Sequence, residues 1–394
     1  MTGIDPRIAE EFDALLPRMR ATSRRLHAHP ETAWEEHAAA DLLTGWLAEE
    51  GFAVERPYAG VETGFRARRP GHERAPATIA VLLEYDALPG IGHACGHNLI
   101  AAGGAAAAIA AARALGDAGA AVTVIGTPAE EGGGGKIVLL DRGAFDDVDA
   151  ALMFHPADRT LTARHGLAAI HFHAEFRGVA SHAAKHPEDG KSAFNGARLF
   201  FDAIDMLRQF LPAKARIHGI IRAAGDAPNV VPDHALVEGI VRARTLAEAR
   251  DLFARVRRIA EGAAMGSETT AEVREPSPAY AERRNNPAMV AAVDRYLRAQ
   301  AVDITPTSPD NPAGSSDIGN VSLVVPAIHP YIQIAERGTP SHAPVFAEAA
   351  GTDYAFDQAA KMARAIACTV ADLAADPDLR AAVRESFEAD DHAA

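Results

Sequence analysis

Cysteine is nearly absent: Cys95 and Cys368 are the only two in 394 residues. Two thiols make no disulfide framework, so a reducing cytoplasm fits the chain best. Basic residues are scarce too, 39 Lys and Arg against 53 Asp and Glu, for a formal charge of −14. That balance argues against a nucleic-acid or anionic-membrane partner, since both need a basic face. Long hydrophobic runs are missing as well. The most apolar segment, Leu99 to Ala112, is mostly Ala and Gly; it is too short to span a bilayer and reads as a packed helix. Met1 to Glu10 has no apolar core behind basic residues, so no signal peptide is expected.

What is present centres on the stretch Glu84 to His97, Glu-Tyr-Asp-Ala-Leu-Pro-Gly-Ile-Gly-His-Ala-Cys-Gly-His. It follows the apolar run Thr78 to Leu83, a buried strand, and precedes an alanine-rich helix to Leu115. Its acidic and soft groups therefore sit where a strand ends and a helix begins, the edge at which open α/β sheets bind ligands. A thiol and an imidazole two residues apart suit a borderline-soft cation such as zinc. Each taken alone is ordinary, since a lone buried cysteine is usually a small hydrophobe.

Helical periods cover Pro6 to Leu26 and Glu35 to Leu47, with short strands at Phe52 to Val54 and Gly64 to Ala67. A second strong strand, Ala121 to Ile125, completes a parallel βαβ unit, and Ala150 to Phe154 is a third apolar run. The pattern then changes. Strands near 168–176, 216–222, 235–242 and 269–273, with helices near 192–210 and 246–261, follow the ferredoxin-like order β-α-β-β-α-β. Helix returns at Pro287 to Gln300 and Ala355 to Leu373, and strands at Leu323 to Val325 and Tyr331 to Ile334. The expected fold is one α/β domain, 1–166 and 278–394, interrupted by an α+β module at 167–277. The tail from Glu385 is polar and expected to fray.

The second strand ends in Pro128-Ala129-Glu130-Glu131, then four glycines and Lys136. Adjacent carboxylates at a strand end can divide labour, one on a metal and the other on a proton. A phosphate-loop reading fails, because Glu130 stands at the first glycine position and Ile137 replaces the Ser or Thr. The third run delivers His155, and Gly/Pro-rich segments carry Gly314-Ser315-Ser316-Asp317 and Ser341-His342-Ala343-Pro344. So several separate segments each place a metal-ligating residue type after an apolar strand or in a loop, and their recurrence favours a metal site.

In order, Leu26-His27-Ala28-His29-Pro30-Glu31, Asp86-Ala87-Leu88-Pro89, His93-Ala94-Cys95-Gly96-His97, Pro128-Ala129-Glu130-Glu131-Gly132, His155 and His342-Ala343-Pro344 resemble a known family. It is the co-catalytic metallo-amidohydrolases of the aminoacylase and carboxypeptidase G type. The Cys-Gly-His form is similar to the auxin-conjugate hydrolase branch. The Gly314 to Ser322 segment, with Ile328-His329-Pro330, is closer to the p-aminobenzoyl-glutamate hydrolases and dipeptidase-like amidohydrolases. The resemblance implies two divalent ions, zinc or manganese with cobalt also fitting, held by Cys95, His97, Glu131, His155 and His342. It implies Glu130 as general base and Asp86 as the residue that steadies the metal site. The fold it implies is an α/β catalytic domain with a mixed sheet and an inserted lid that dimerises, and His182 matches the histidine that in that family reaches the partner's active site. Asn229, Arg242 and Ser315 fall on substrate-gripping positions. Asn98 departs from the aspartate of many relatives, and His93 and His329 are left as second-sphere or structural residues.

The function expected is hydrolysis of the amide joining an acyl or aminoacyl group to an amino acid, by direct attack of metal-activated water, with p-aminobenzoyl-glutamate or a β-alanyl-type dipeptide as the alternative substrate. A cysteine-nucleophile amidase using Cys95 and His97, and a non-enzymatic binding homologue, are the competing readings. The first suits the two-residue spacing less well than shared metal ligation does, and the second expects a lost ligand.

Overall fold

The protein is described by a computed structural model over residues 5–71, 75–116, 119–308 and 314–391. The chain opens with α1 (Pro6–Ala28), α2 (His37–Glu49), β1 (Ala53–Glu55), β2 (Phe65–Arg68), β3 (Thr78–Leu83), α3 (His97–Leu115), β4 (Ala121–Gly126), α4 (Gly135–Asp141), β5 (Ala150–Leu152) and β6 (His155–Ala157). Asp5 caps α1, with Pro6 pre-set at the first helical position. Glu31, in the His-Pro-Glu segment, accepts the Ala38 and Ala39 amides at 3.0 and 2.8 Å and so caps α2 from a distance.

Next come β7 (Ala168–Arg177), α5 (Ala193–Arg208), β8 (Arg216–Ala223), β9 (His234–Ala243), α6 (Leu246–Gly266) and β10 (Thr270–Arg274). The chain closes with α7 (Pro287–Ala299), α8 (Ile318–Ser322), β11 (Ala327–Ile328), β12 (Tyr331–Gln333), α9 (Pro344–Ala350), α10 (Asp353–Ala375) and α11 (Pro377–Asp391).

Two compact units result. In the first, six strands run in the order β1-β2-β4-β3-β5-β11. β4, β3, β5 and β11 are parallel, whereas β1 and β2 add an antiparallel edge. The sheet is mixed, as the resemblance implies, whereas the βαβ pattern alone predicts only its parallel part. Helix α3 packs between α1 and α10 and against β3. Its small residues allow that close approach: a Cβ at Gly104 would lie 2.4 Å from Leu83 Cδ2. By length and composition α3 could cross a membrane, but most of it is buried here as the core helix.

The second unit comprises Gly166–Glu282 with Gly314–Ser316. Its strands are ordered β10-β7-β9-β8, all antiparallel, with α5 and α6 packed on them, which is the ferredoxin-like arrangement. Its limits differ slightly from 167–277. Ala169 and Tyr280 exchange backbone hydrogen bonds, and Leu167 N–H donates to Gly314 O, so both flanking segments join this unit.

Leu323 to Val325 is not a strand. Val324 and Val325 both donate to Val321 O, continuing the turn of α8, and pairing begins only at Ala327. Residues from Glu385 belong to α11, whose Val383 is buried and whose neighbours Val383 O and Ser386 Oγ accept from Asn286. The third apolar run also divides: β5 joins the main sheet, while β6 pairs with β12.

Candidate metal centre

The centre lies at the carboxyl ends of three neighbouring parallel strands. Leu83 is paired with Gly126, so β3 and β4 end side by side and release Glu84 and Asp86 next to Glu130 and Glu131. On the other side of β3, β5 leads to His155. Cys95 and His97 flank Gly96, whose φ of 77° starts α3. A Cβ there would sit 2.7 Å from Pro156 Cγ, so glycine is required by conformation and by space together. His342 arrives from a loop pinned by its own N–H, which donates to Ala94 O at 3.1 Å.

Donor atoms of Cys95, His97 and His155 lie within 4.8 Å of one another, as do those of Cys95, Glu131 and His342. The two trios share Cys95. A third set, His97 with Glu130 and Glu131, brings the second carboxylate of the Glu-Glu pair against the same imidazole. All five sequence-proposed ligands therefore meet in one unit. Ala129 and His342 adopt positive φ, 57° and 61°, despite carrying side chains. Such conformations persist where surrounding structure imposes them, and here both adjoin the site.

The chemistry of the donors fits a cation. His97 Nδ1 lies 2.9 Å from Asp86 O and 3.1 Å from Asp86 Oδ1, both acceptors, so that nitrogen carries a hydrogen and Nε2 faces the centre. Asp86, Glu84 and Glu131 push the imidazole well above its ordinary value despite burial, so Nε2 holds a proton without an ion and offers its lone pair with one. His155 is arranged likewise, with Nδ1 donating to Pro156 O at 2.6 Å. His97 Nε2 and Glu131 Oε1 are buried without a hydrogen-bond partner, a costly state unless an ion is bound.

Asp86 accepts from His97 through Oδ1 and from the Glu131 amide through Oδ2 at 2.9 Å, tying both ends of the cluster together. Despite burial, its carboxyl is held below the usual range by His97, the Glu131 amide and Lys136. Burial pushes Glu130 well above the usual carboxyl range, and Glu131, Glu84 and Asp317 add to the shift. Burial also raises the Cys95 thiol, as do Glu131, Glu130 and Asp86, so its thiolate requires a nearby cation.

The remaining candidates fall into two pairs within the second unit. His182 bridges to Val230, and Ala183 N–H donates to Asn229 O, bringing two exposed loops together. Arg242 Nη1 donates to Ser315 Oγ at 2.6 Å. His93 is buried, bonded to Leu26 O and pushed down to about 3 by burial and neighbouring His97 and His27, so it is a neutral core residue. His329 accepts Arg283 Nη1 at 2.5 Å and stands edge-on to the His155 ring. Asn98 donates to Ser23 Oγ and Ala350 O, bracing α1 and the end of α9, while Asp86 orients His97.

Among the buried charged residues that sequence reasoning gave no role are Glu36, Glu84, Lys136 and Asp317. Glu36 accepts from Trp34 N, Ala129 N and Thr63 Oγ1. Lys136 donates to both Glu84 and Asp317. The available signal was Lys136 itself, an isolated cation among glycines and aliphatic residues.

Residues 80–371 match the model of peptidase family M20/M25/M40. The human protein named Xaa-Arg dipeptidase is 36% identical, over 97% of this chain and 91% of its own length. A polypeptide of the p-aminobenzoyl-glutamate hydrolase of Escherichia coli K12 is 35% identical over 68% of this chain and 59% of its own. Among solved structures, a Bacillus subtilis protein described as a dinuclear metal binding peptidase from the M20 family superposes with a TM-score of 0.67. It shares 21% identity and covers 92% of this chain and 99% of its own.

Proposed function

Because the chain belongs to peptidase family M20/M25/M40, we propose that its centre hydrolyses the amide of an N-acyl or aminoacyl amino acid or small dipeptide. The observation that carries this reading is the pair of donor trios meeting at Cys95 with Glu130 beside them. Two divalent ions held there, one by Cys95, His97 and His155 and one by Cys95, Glu131 and His342, would polarise the amide carbonyl and acidify water.

The chain's own residues supply the rest. Glu130, set against His97 and Glu131, takes a proton from the attacking water and passes it to the departing amine nitrogen. Asp86 keeps the His97 hydrogen on Nδ1, so that Nε2 faces the centre. His182 Nδ1 accepts from the Ala184 and Lys185 amides at 3.3 Å, which leaves the hydrogen on Nε2. That tautomer suits donation to a developing oxyanion in the other protomer of a homodimer formed through the ferredoxin-like unit. Arg242, held by Ser315, suits a substrate carboxylate, with Asn229 as a second polar contact.

Sulfur and imidazole donors favour zinc; manganese and cobalt fit the same frame. The near full-length likeness to a dipeptidase supports an aminoacyl substrate, and the likeness to a p-aminobenzoyl-glutamate hydrolase supports an aroyl-amino acid second. Two free buried cysteines favour a reducing cytoplasm.

The test is a hydrolysis panel of dipeptides, β-alanyl dipeptides, acetyl- and aroyl-amino acids and p-aminobenzoyl-glutamate. Each is assayed with and without chelator, and metal content is measured on the same sample. Chelator-sensitive release of one amino acid is expected. Release that persists in fully stripped protein would point to a Cys95 nucleophile instead.

A further inference from the structure

Glu84 stands at the end of β3 with no exposure, and its two oxygens have different surroundings. Oε1 receives Lys136 Nζ at 2.5 Å. Lys136 is itself clamped: Nζ donates to Asp317 Oδ1 at 2.8 Å and the backbone N–H to Asp317 Oδ2 at 2.9 Å. All three side chains are wholly buried. The clamp fixes where the second oxygen points. Glu84 Oε2 has no hydrogen-bond partner and lies 3.5 Å from His97 Nε2. His97 Nδ1 is held by Asp86, and Nε2 faces Glu84 Oε2, likewise without a hydrogen-bond partner. Two buried atoms of this kind at that distance call for a positive charge against both, a proton on Nε2 or a metal ion in its place. Lys136 is engaged on the other oxygen and on Asp317.

Resting on the metal-centre reading above, we propose that Glu84 is a further ligand of the ion held by His97, aimed at it by the Lys136–Asp317 pair. The carboxylate then serves two cations at once, an ammonium through Oε1 and a metal through Oε2. Lys136 and Asp317 are positioning residues, since they act through Glu84. Buried acids around a lysine read at first as a structural ion pair, but an ion pair alone leaves Oε2 and Nε2 unsatisfied.

The experiment is a competition titration of chelator-stripped, full-length protein with zinc ions against a chromophoric chelator, alongside melting curves of stripped and loaded protein. The wild type is expected to bind two ions. Glu84→Gln keeps a carbonyl oxygen for Lys136 and turns an amide donor toward His97 Nε2. It should weaken one ion by on the order of 10- to 100-fold and leave the other near wild type. Loss of the Lys136 counter-ion lowers the melting temperature of Glu84→Gln in both the stripped and the loaded form, so the reading is the zinc-induced rise, which should be smaller than in wild type. Lys136→Met, which unclamps the carboxylate, should weaken the same ion.

Wild-type affinity for both ions in Glu84→Gln, with equal loss of melting temperature stripped and loaded, overturns the proposal and leaves Glu84 as a counter-ion of Lys136. If Glu84→Gln does not fold, Glu84→Asp, which retracts the oxygen by one methylene, is titrated instead; unchanged affinities there also overturn it. A wild type that binds no zinc fails the metal-centre reading itself, a separate outcome.

Discussion

His97 Nδ1 sits 3.1 Å from Asp86 Oδ1, and that contact decides which face of the imidazole looks into the centre. The other Asp86 oxygen holds the Glu131 amide at 2.9 Å, so one carboxylate sets the direction of one candidate ligand and the backbone of another.

Asp86→Asn can satisfy only one of these donors with its carbonyl oxygen and points an N–H₂ at the other. Metal affinity should fall by about 10- to 100-fold, the usual cost of losing an orienting carboxylate. Zinc titration of the stripped variant checks this, with circular dichroism confirming the fold.

Glu130→Gln should retain both ions and the native melting temperature while turnover drops by roughly two to four decades. Single-turnover kinetics at saturating substrate give the number. Mixed with His182→Ala protomers, the same variant should recover part of the activity. Each mixed dimer then carries one site with an intact base and an intact lid histidine. Verified mixed dimers that stay inactive argue against action across the dimer.

Glu36 carries a pH dependence that can be isolated. Burial, reinforced by the Asp86 carboxylate, pushes it from 4.5 up to about 7. Between those values the folded chain keeps a proton that the unfolded chain has released, so stability falls as pH rises through this window. The contribution is on the order of 3 kcal/mol. Glu36→Gln has no proton to lose, so its stability relative to wild type should rise from pH 4.5 to 7 and level off above. Urea unfolding at four or five pH values, at fixed metal loading, tests the sign.

Gly96→Ala places a methyl 2.7 Å from Pro156 Cγ on a residue with φ of 77°. The combination of strain and overlap should cost ~2 kcal/mol or more. Because Gly96 separates Cys95 from His97, metal affinity should fall with the melting temperature. A variant that lost stability but bound zinc normally would mean the two ligands are held by something other than this turn.

Much of the candidate site was legible because its residues sit at positions the chain must expose. Glu84, Asp86, Glu130, Glu131 and His155 all follow apolar runs, and parallel pairing of those runs brings their ends together. The ferredoxin-like unit was legible for a related reason, since alternation and helical period change cleanly between residues 168 and 274. Leu323 to Val325 misled because three aliphatic residues after a short helix read like a strand, and only hydrogen bonding to Val321 distinguishes them. Helices α9 and α11 carry their burial on too few residues to mark them. Glu36, Glu84, Lys136 and Asp317 were opaque for a deeper reason: a buried charge is defined by its partners, and these partners lie on separate segments of sequence.

The inserted unit also sets a timetable. On the ribosome, Cys95, His97, Glu131 and His155 emerge first, but His342 follows only after the whole ferredoxin-like unit and α7 and α8 have been made. β5 must wait equally for β11 to pair along its edge. At ordinary elongation rates that interval is about ten seconds or more. A nascent chain therefore carries a half-built, thiol-bearing pocket while the insertion folds, and the centre closes only once the His342 loop has been added.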